Sequence, residues 1–337
     1  MSMEKINIAI FSFLLCIVVT SQAQQPDIPS SFGINLESIK YPYRVNYIRL
    51  AIQGEQVKMA YMDVKPERAN GQTVVLLHGK NFNGAYWERT AGDLASQGYR
   101  VVIPDQIGFG KSSKPYRIQY SFQLLAQNTK AILDTLQIRK INLLGHSMGG
   151  MLAVRFALMY PETVERLVLE NPIGLEDWKT AIPYQTVEEW YASELKQNYG
   201  VIKKYQLESY YGNEWRPEYD RWVKLLAGWT AAIDYPRVAW NSALLYDMIF
   251  TQPVCYEFEN IKIPTLLIIG QRDRTAVGKN KAPENIRQTL GNYPALGKAA
   301  AKRIPNAQLV EIDNVGHLPH IEAYDKFIQP LMTFLKK

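Results

Sequence analysis

Residues 140–161 read KINLLGHSMGGMLAVRFALMYP, and the fold turns on how this stretch is read. The apolar run over 141–144 has the pattern of a buried strand. It ends abruptly in Gly145-His146-Ser147-Met148-Gly149-Gly150, and a helical pattern begins at once. A serine among small residues, between a buried strand and a helix, describes a nucleophile elbow. Such a turn strains the serine backbone and brings strand and helix almost into contact. Gly145 and Gly149 supply the clearance, and Gly150 extends it. The hydroxyl then projects from the strand's C-terminal edge, beside the free N–H groups and positive dipole end of the helix.

The pattern repeats on both sides of the elbow. TVVLLHG (73–79), RVVIPD (100–105), INLLG (141–145), RLVLEN (166–171), TLLIIG (265–270) and QLVEID (308–313) read as strands buried on both faces. Helical stretches alternate with them, which predicts βαβ units around a mostly parallel sheet with helices on both faces. YIRLAIQGEQVKMAYMDV (47–64) reads as an antiparallel hairpin opening the sheet. The alternation breaks after Asn171. Residues 172–257 hold helical pattern only, rich in Trp and Tyr, and strands resume near Ile263. Within this insertion Thr186 and Glu189 form a capping box, and Gly200 is the expected stop of that helix. The predicted organisation is a core of residues 24–171 and 258–337, with a helical cap, 172–257, inserted in it.

The first residues stand apart. Lys5, an apolar run over about 8–19, and Ser21-Gln22-Ala23 describe a secretory signal, residues 1–23, cleaved after Ala23. The run falls short of the roughly 20 apolar residues a membrane span needs. An exported chain, periplasmic or secreted, with no stable span after cleavage is therefore expected. Cys255 would be its only cysteine, which rules out an intramolecular disulfide. There is no Cys/His cluster of zinc spacing and no nucleic-acid motif. The net charge of +6 is carried by one segment, 271–303, where Arg272, Arg274, Lys279, Lys281, Arg287, Lys298, Lys302 and Arg303 stand against Asp273 and Glu284. A solvated face is the plain reading of such a run, and attraction of acidic substrates the alternative.

Serine is a poor nucleophile until a base takes its proton. His317 lies between the last predicted strand and the last helix, which puts it on the same sheet edge as Ser147, with Gly316 making room for it. His320 is its competitor. Asp273, just past the strand 265–270, supplies a carboxylate in the chain order Ser147, Asp273, His317 expected with this elbow. Glu170, ending the strand before the insertion, is the second choice. Read as a surface acid, Asp273 would instead pair with Arg272 and Arg274. An oxyanion needs two donors: the backbone N–H of Met148 and one from the loop after VVLLHG, assigned to Lys80, with Asn81 as alternative. The Lys80 side chain has no part in this reading. His78 and Gly79 are expected to shape that loop, and His146 to pack or hydrogen-bond behind the elbow.

Four segments, HGKNFNGAYW, DQIGFGKSSKP, GHSMGG and the pair GQRDRTA with GHLPHIE, make the chain resemble the α/β-hydrolase superfamily from about Val45 to Lys337. They resemble its serine-nucleophile, esterase- or lipase-like branch with a helical cap. Two features depart from it: no proline follows shortly after the acid, and the stretch 278–307 is longer than usual. The resemblance implies an α/β-hydrolase fold and attack on an acyl group through an acyl-serine. Relatives that attack alkyl carbon carry aspartate at the elbow instead. The expected substrate is a small ester-like molecule, apolar or aromatic to suit the insertion, with no metal and no cofactor. A carbon–carbon bond hydrolase, a lactonase or an amidase would use the same triad. A non-catalytic binding protein on the same scaffold is the reading from another class. The sequence leaves the oligomeric state open.

Overall fold

The protein is described here by a computed structural model covering residues 32–336. The expected leader, 1–23, lies outside the described residues. Eight strands form one sheet: β1 (Val45–Ile52), β2 (Glu55–Val64), β3 (Thr73–Leu77), β4 (Arg100–Pro104), β5 (Ile141–His146), β6 (Val164–Glu170), β7 (Thr265–Gly270) and β8 (Ala307–Ile312). Their spatial order is β1-β2-β4-β3-β5-β6-β7-β8. β2 pairs antiparallel with both β1 and β4, and every pairing from β4 to β8 is parallel. The β1–β2 hairpin turns at Gln53 and Gly54, both with positive φ (48° and 89°), as a two-residue turn matched to strand twist requires.

The helices are α1 (Glu88–Ser96), α2 (Phe122–Thr135), α3 (Met148–Met159), α4 (Val187–Glu194), α5 (Tyr199–Ser209), α6 (Asp220–Thr230), α7 (Tyr235–Thr251), α8 (Glu284–Arg287), α9 (Tyr293–Arg303), α10 (Pro319–Glu322) and α11 (Tyr324–Leu335). Alternate residues of each central strand serve opposite faces of the sheet. Val75, Leu77, Leu143 and Leu167 join the core beneath α2, α3 and α9. Val74, Leu76, Leu144 and Val168 join the one beneath α1 and α11. Both faces are thus covered, which is why these runs are apolar throughout. β8 differs from the doubly buried strand expected: it is the sheet edge, and only Ile312 in it is fully buried.

All of α4–α7 falls between β6 and β7. The capping box at Thr186 and Glu189 is present, but α4 ends at Glu194, and Gly200 is a correction to the expected stop. Gly200 lies in the first turn of α5, because Asn198 caps a new helix by accepting from the Val201 N–H at 3.1 Å. The insertion has its own aromatic packing, with Tyr211 and Tyr219 stacked at 3.7 Å and nearly parallel. It is also strapped to the core. The chain before β1 lays Phe32 over Gly228 of α6, where a Cβ would come within 1.9 Å of the ring. Further along, Tyr41 hydrogen-bonds Asp105 at 2.8 Å. No helix among the described residues is long and apolar enough to cross a membrane.

Candidate active site

β5 and β6 run side by side at the sheet centre, His146 opposite Glu170, and a single step of the chain separates β5 from α3. Ser147 occupies that step with φ 57° and ψ −121°, a left-handed backbone that is strained for a residue with a Cβ. Glycine is required around it. A Cβ on Gly145 would lie 2.1 Å from Gly149 O, and one on Gly149 would lie 2.4 Å from Leu77 O.

Three side chains from distant parts of the sequence meet here. The Ser147 hydroxyl donates to His317 Nε2 at 2.9 Å, and His317 Nδ1–H donates to Asp273 Oδ2 at 2.6 Å. Asp273 also accepts from Asn171 Nδ2 at 2.7 Å and from the Thr275 N–H at 2.9 Å. Burial pushes its carboxyl up, but the His317 charge and these hydrogen bonds outweigh that and hold it below the usual range. The pairing of Asp273 with its flanking arginines does not occur. Arg272 instead reaches Glu322 and Asn314 O, and Glu322 accepts the Gly316 N–H at 2.7 Å, bracing the loop that carries His317. Asp273 itself is fully buried. Gly316 has a specific role in this loop: a Cβ there would lie 1.9 Å from Tyr210 O of the insertion. The Tyr210 ring covers His317, stacked at 5.0 Å.

His320, the competing base, points elsewhere. Its Nδ1 and its backbone N–H both meet Glu170 Oε1 at 2.8 Å, with Trp87 stacked on the ring at 4.4 Å. Glu170 is thus not the acid of the serine–histidine chain. Burial raises its pKa to about 7, against the pull of neighbouring imidazoles, and its Oε2 has no protein partner among the described residues. Burial and the His317 charge push His320 well down.

The loop after β3 is held from below. His78 Nε2 accepts the Gln106 N–H at 3.0 Å, and Asp105 accepts the Gly84 N–H at 2.6 Å. A relay joins this loop to the histidine loop. The Gly79 N–H donates to Tyr86 OH at 2.9 Å, Tyr86 OH donates to His146 Nδ1 at 3.0 Å, and His146 Nε2–H donates to His317 O at 2.8 Å. Among the described residues, the backbone N–H groups of Met148, Lys80 and Asn81 donate to no protein acceptor. Their availability is what an oxyanion site requires. The Lys80 side chain, given no part in the sequence reading, enters a cavity under the insertion and donates to Ser242 there. Asn171 and Tyr86 are site residues that reading missed. Asn171 could have been flagged from its place at the strand end beside Glu170, whereas Tyr86 lies within HGKNFNGAYW without any spacing that marks it out.

The fold and this geometry define an α/β hydrolase, and the chain belongs to the family described as alpha/beta hydrolase fold, whose profile matches residues 72–324. It is similar to a crystal structure of a probable hydrolytic enzyme from Pseudomonas aeruginosa PAO1, at 52% identity and TM-score 0.90, covering 91% of this chain and 99% of that one. It is 28% identical to Lipase 1 of Psychrobacter immobilis over 312 residues, 88% of each chain. A shorter match, 39% over 126 residues, spans 36% of this chain and 43% of a 2-hydroxy-6-oxononadienedioate/2-hydroxy-6-oxononatrienedioate hydrolase of Paraburkholderia phymatum.

Proposed function

We propose that this hydrolase is an exported serine enzyme that cleaves a carboxylic ester, or a closely related acyl bond, through an acyl-serine intermediate. One observation carries the reading: the continuous chain from the Ser147 hydroxyl through His317 to a buried, multiply hydrogen-bonded Asp273. His317 takes the serine proton as Ser147 attacks the carbonyl carbon. Asp273 holds the ring in the tautomer whose Nε2 can accept, and steadies the imidazolium. The N–H groups of Met148 and Lys80 receive the developing oxyanion. His317 then protonates the leaving alcohol, and water, activated by the same histidine, releases the acid. The similarity to a lipase over most of both chains supports ester cleavage.

Mass spectrometry of intact protein treated with a fluorophosphonate tests this directly. A single adduct mapped to Ser147, absent from Ser147→Ala, is the expected result. Folded wild-type protein that takes no adduct would point back to a binding protein. A carbon–carbon hydrolase, favoured by the shorter match to the oxononadienedioate hydrolase, differs in product rather than in labelling. Identification of the products, two fragments or a single ring-opened hydroxy acid, separates it from an esterase, lactonase or amidase. Export rests on the Lys5, 8–19 and Ser21–Ala23 pattern. N-terminal sequencing of protein recovered from cell fractions should begin at Gln24.

A further inference from the structure

The cavity under the insertion is about 180 Å³, larger than the roughly 150 Å³ that accommodates a benzene ring in an engineered protein core. Most of its wall is apolar, including Phe109, Trp229, Val238 and Leu245. Asn81, Glu194, Gln197, Thr230 and Ser242 also line it, and two further polar side chains break the wall in a way that its own packing does not explain.

The first is Lys80. Its backbone N–H belongs to the loop assigned to the oxyanion, while its side chain extends into the cavity. Nζ donates to Ser242 Oγ at 2.7 Å and sits 3.3 Å over the Tyr246 ring. An ammonium has three donors, so these contacts do not exhaust it. The nearest acid, Glu194, is one hydroxyl away, accepting from Ser242 at 2.6 Å. Burial pulls the Lys80 pKa down to about 8, and Glu194 restores only part of the loss. The remaining surface of Lys80 opens to the cavity. A second anion there would stabilise the ammonium.

The second is Gln206 on α5. It is 1% exposed and lines the same cavity, yet neither its Oε1 nor its Nε2 meets a protein partner among the described residues. A buried amide with both ends unmatched is costly unless a ligand supplies the partners. Glu194 is the carboxylate of the cavity lining and is engaged by Ser242, while the charges beside the cavity are positive. A neighbouring groove shares Tyr205 and Tyr246 with the cavity and is lined by Arg274 and Lys279, whose hydrogen bonds go to backbone carbonyls rather than carboxylates. Two members of the basic segment, an exposed Arg274 and a half-buried Lys279, thus line a groove beside the cavity.

We propose that this cavity is a subsite for a carboxylate on the substrate, held by the Lys80 ammonium and the Gln206 amide. The inference rests on the acyl-transfer reading above. Because one residue supplies both the oxyanion donor and the ammonium, the carboxylate and the scissile carbonyl are separated by a spacer set by one lysine stem.

Matched esters test it on the full-length folded enzyme. One pair is 4-nitrophenyl hexanoate and the mono-4-nitrophenyl ester of adipic acid, which places the charge on the acyl side. The other is 4-nitrophenyl butyrate and its 3-carboxy-4-nitrophenyl counterpart, which places it on the alcohol side. Wild type should prefer the charged member of one pair by at least about tenfold in kcat/KM. Lys80→Met should collapse that ratio, chiefly through KM, and Lys80→Arg should restore much of it. Gln206→Leu should lower it by about three- to tenfold. Should Lys80→Met fail to fold, the wild-type ratios and Gln206→Leu decide. A preference for the neutral member of both pairs, or a ratio indifferent to these substitutions, overturns the subsite. If Ser147 takes the fluorophosphonate and neutral esters turn over, that failure belongs to the subsite alone. If Ser147 stays unlabelled and no ester is cleaved, the acyl-transfer reading has failed as well.

Discussion

Two carboxylate–imidazole pairs lie buried at the same sheet edge, with the His146 ring 4.9 Å from one imidazole and 5.2 Å from the other. Asp273–His317 and Glu170–His320 contain the same chemical groups at similar distances, 2.6 Å and 2.8 Å. They differ in what surrounds them. Both oxygens of Asp273 accept hydrogen bonds, so its charge survives burial. Glu170 spends its contacts on Oε1 and leaves Oε2 without one, so burial wins and its carboxyl titrates near neutrality. Beyond the ring, His317 meets a strained hydroxyl, whereas the outer nitrogen of His320 meets no protein partner among the described residues. An acid beside a histidine is therefore not enough to mark a candidate base. The hydrogen bonds behind the acid and the group in front of the imidazole decide.

Exchanging the histidines tests this contrast most severely. His317→Ala should lower kcat/KM for a neutral 4-nitrophenyl ester by about 10⁴-fold or more, and His320→Gln by less than about tenfold. Comparable losses from both, in proteins with matched melting profiles, would erase the distinction. The acids should follow suit. Asp273→Asn, which presents the wrong partner to His317 Nδ1, should cost about 10⁴ in kcat. Asn171→Ala, by removing one of three supports, should show a smaller loss in the same assay.

The second pair should be visible in stability rather than rate. An ordinary glutamate releases its proton near 4.5, while folded Glu170 keeps it to about 7. Between those values the folded chain holds a proton the unfolded chain has lost, so this group's contribution to stability falls as pH rises. His320, kept neutral while an unfolded imidazole charges below about 6.5, acts in the opposite sense as pH drops. Glu170→Gln should therefore gain on wild type as pH rises from 4.5 to 7, by up to about 3 kcal/mol in urea unfolding. A pH-independent difference between the two proteins would contradict the raised pKa. The smallest effect is expected at the link between loops. Tyr86→Phe leaves the Gly79 N–H and His146 Nδ1 unmatched and should cost about 1–3 kcal/mol of stability, with kcat reduced more than KM is raised.

The central architecture was legible because it is written locally. Each doubly buried strand is a short apolar run, and the elbow needs its serine and glycines at fixed spacing. The order of Ser147, Asp273 and His317 could be read for the same reason, since loops at strand ends share one edge of a parallel sheet. What escaped depends on contacts between distant residues. Gly200 looked like a helix stop because the Asn198 cap that starts the next helix restarts the pattern two residues earlier. β8 has nearly the apolar content of its neighbours, and only its place in the strand order leaves it half-exposed. The coupling of Glu170 to His320 spans 150 residues, and that of Lys80 to Ser242 spans 162. No periodicity encodes either.

The position of His317 after the last strand has a consequence in time. Ser147 precedes the histidine it meets by 170 residues. At the roughly 5–20 residues per second of synthesis, the serine is joined to the chain about 10–30 seconds before the histidine is. Throughout that interval the nascent chain carries the proposed nucleophile without its proposed base. A chain halted before β8 would keep the elbow's sequence but lack His317, so the proposed triad is completed only within the last stretch of the chain to be made.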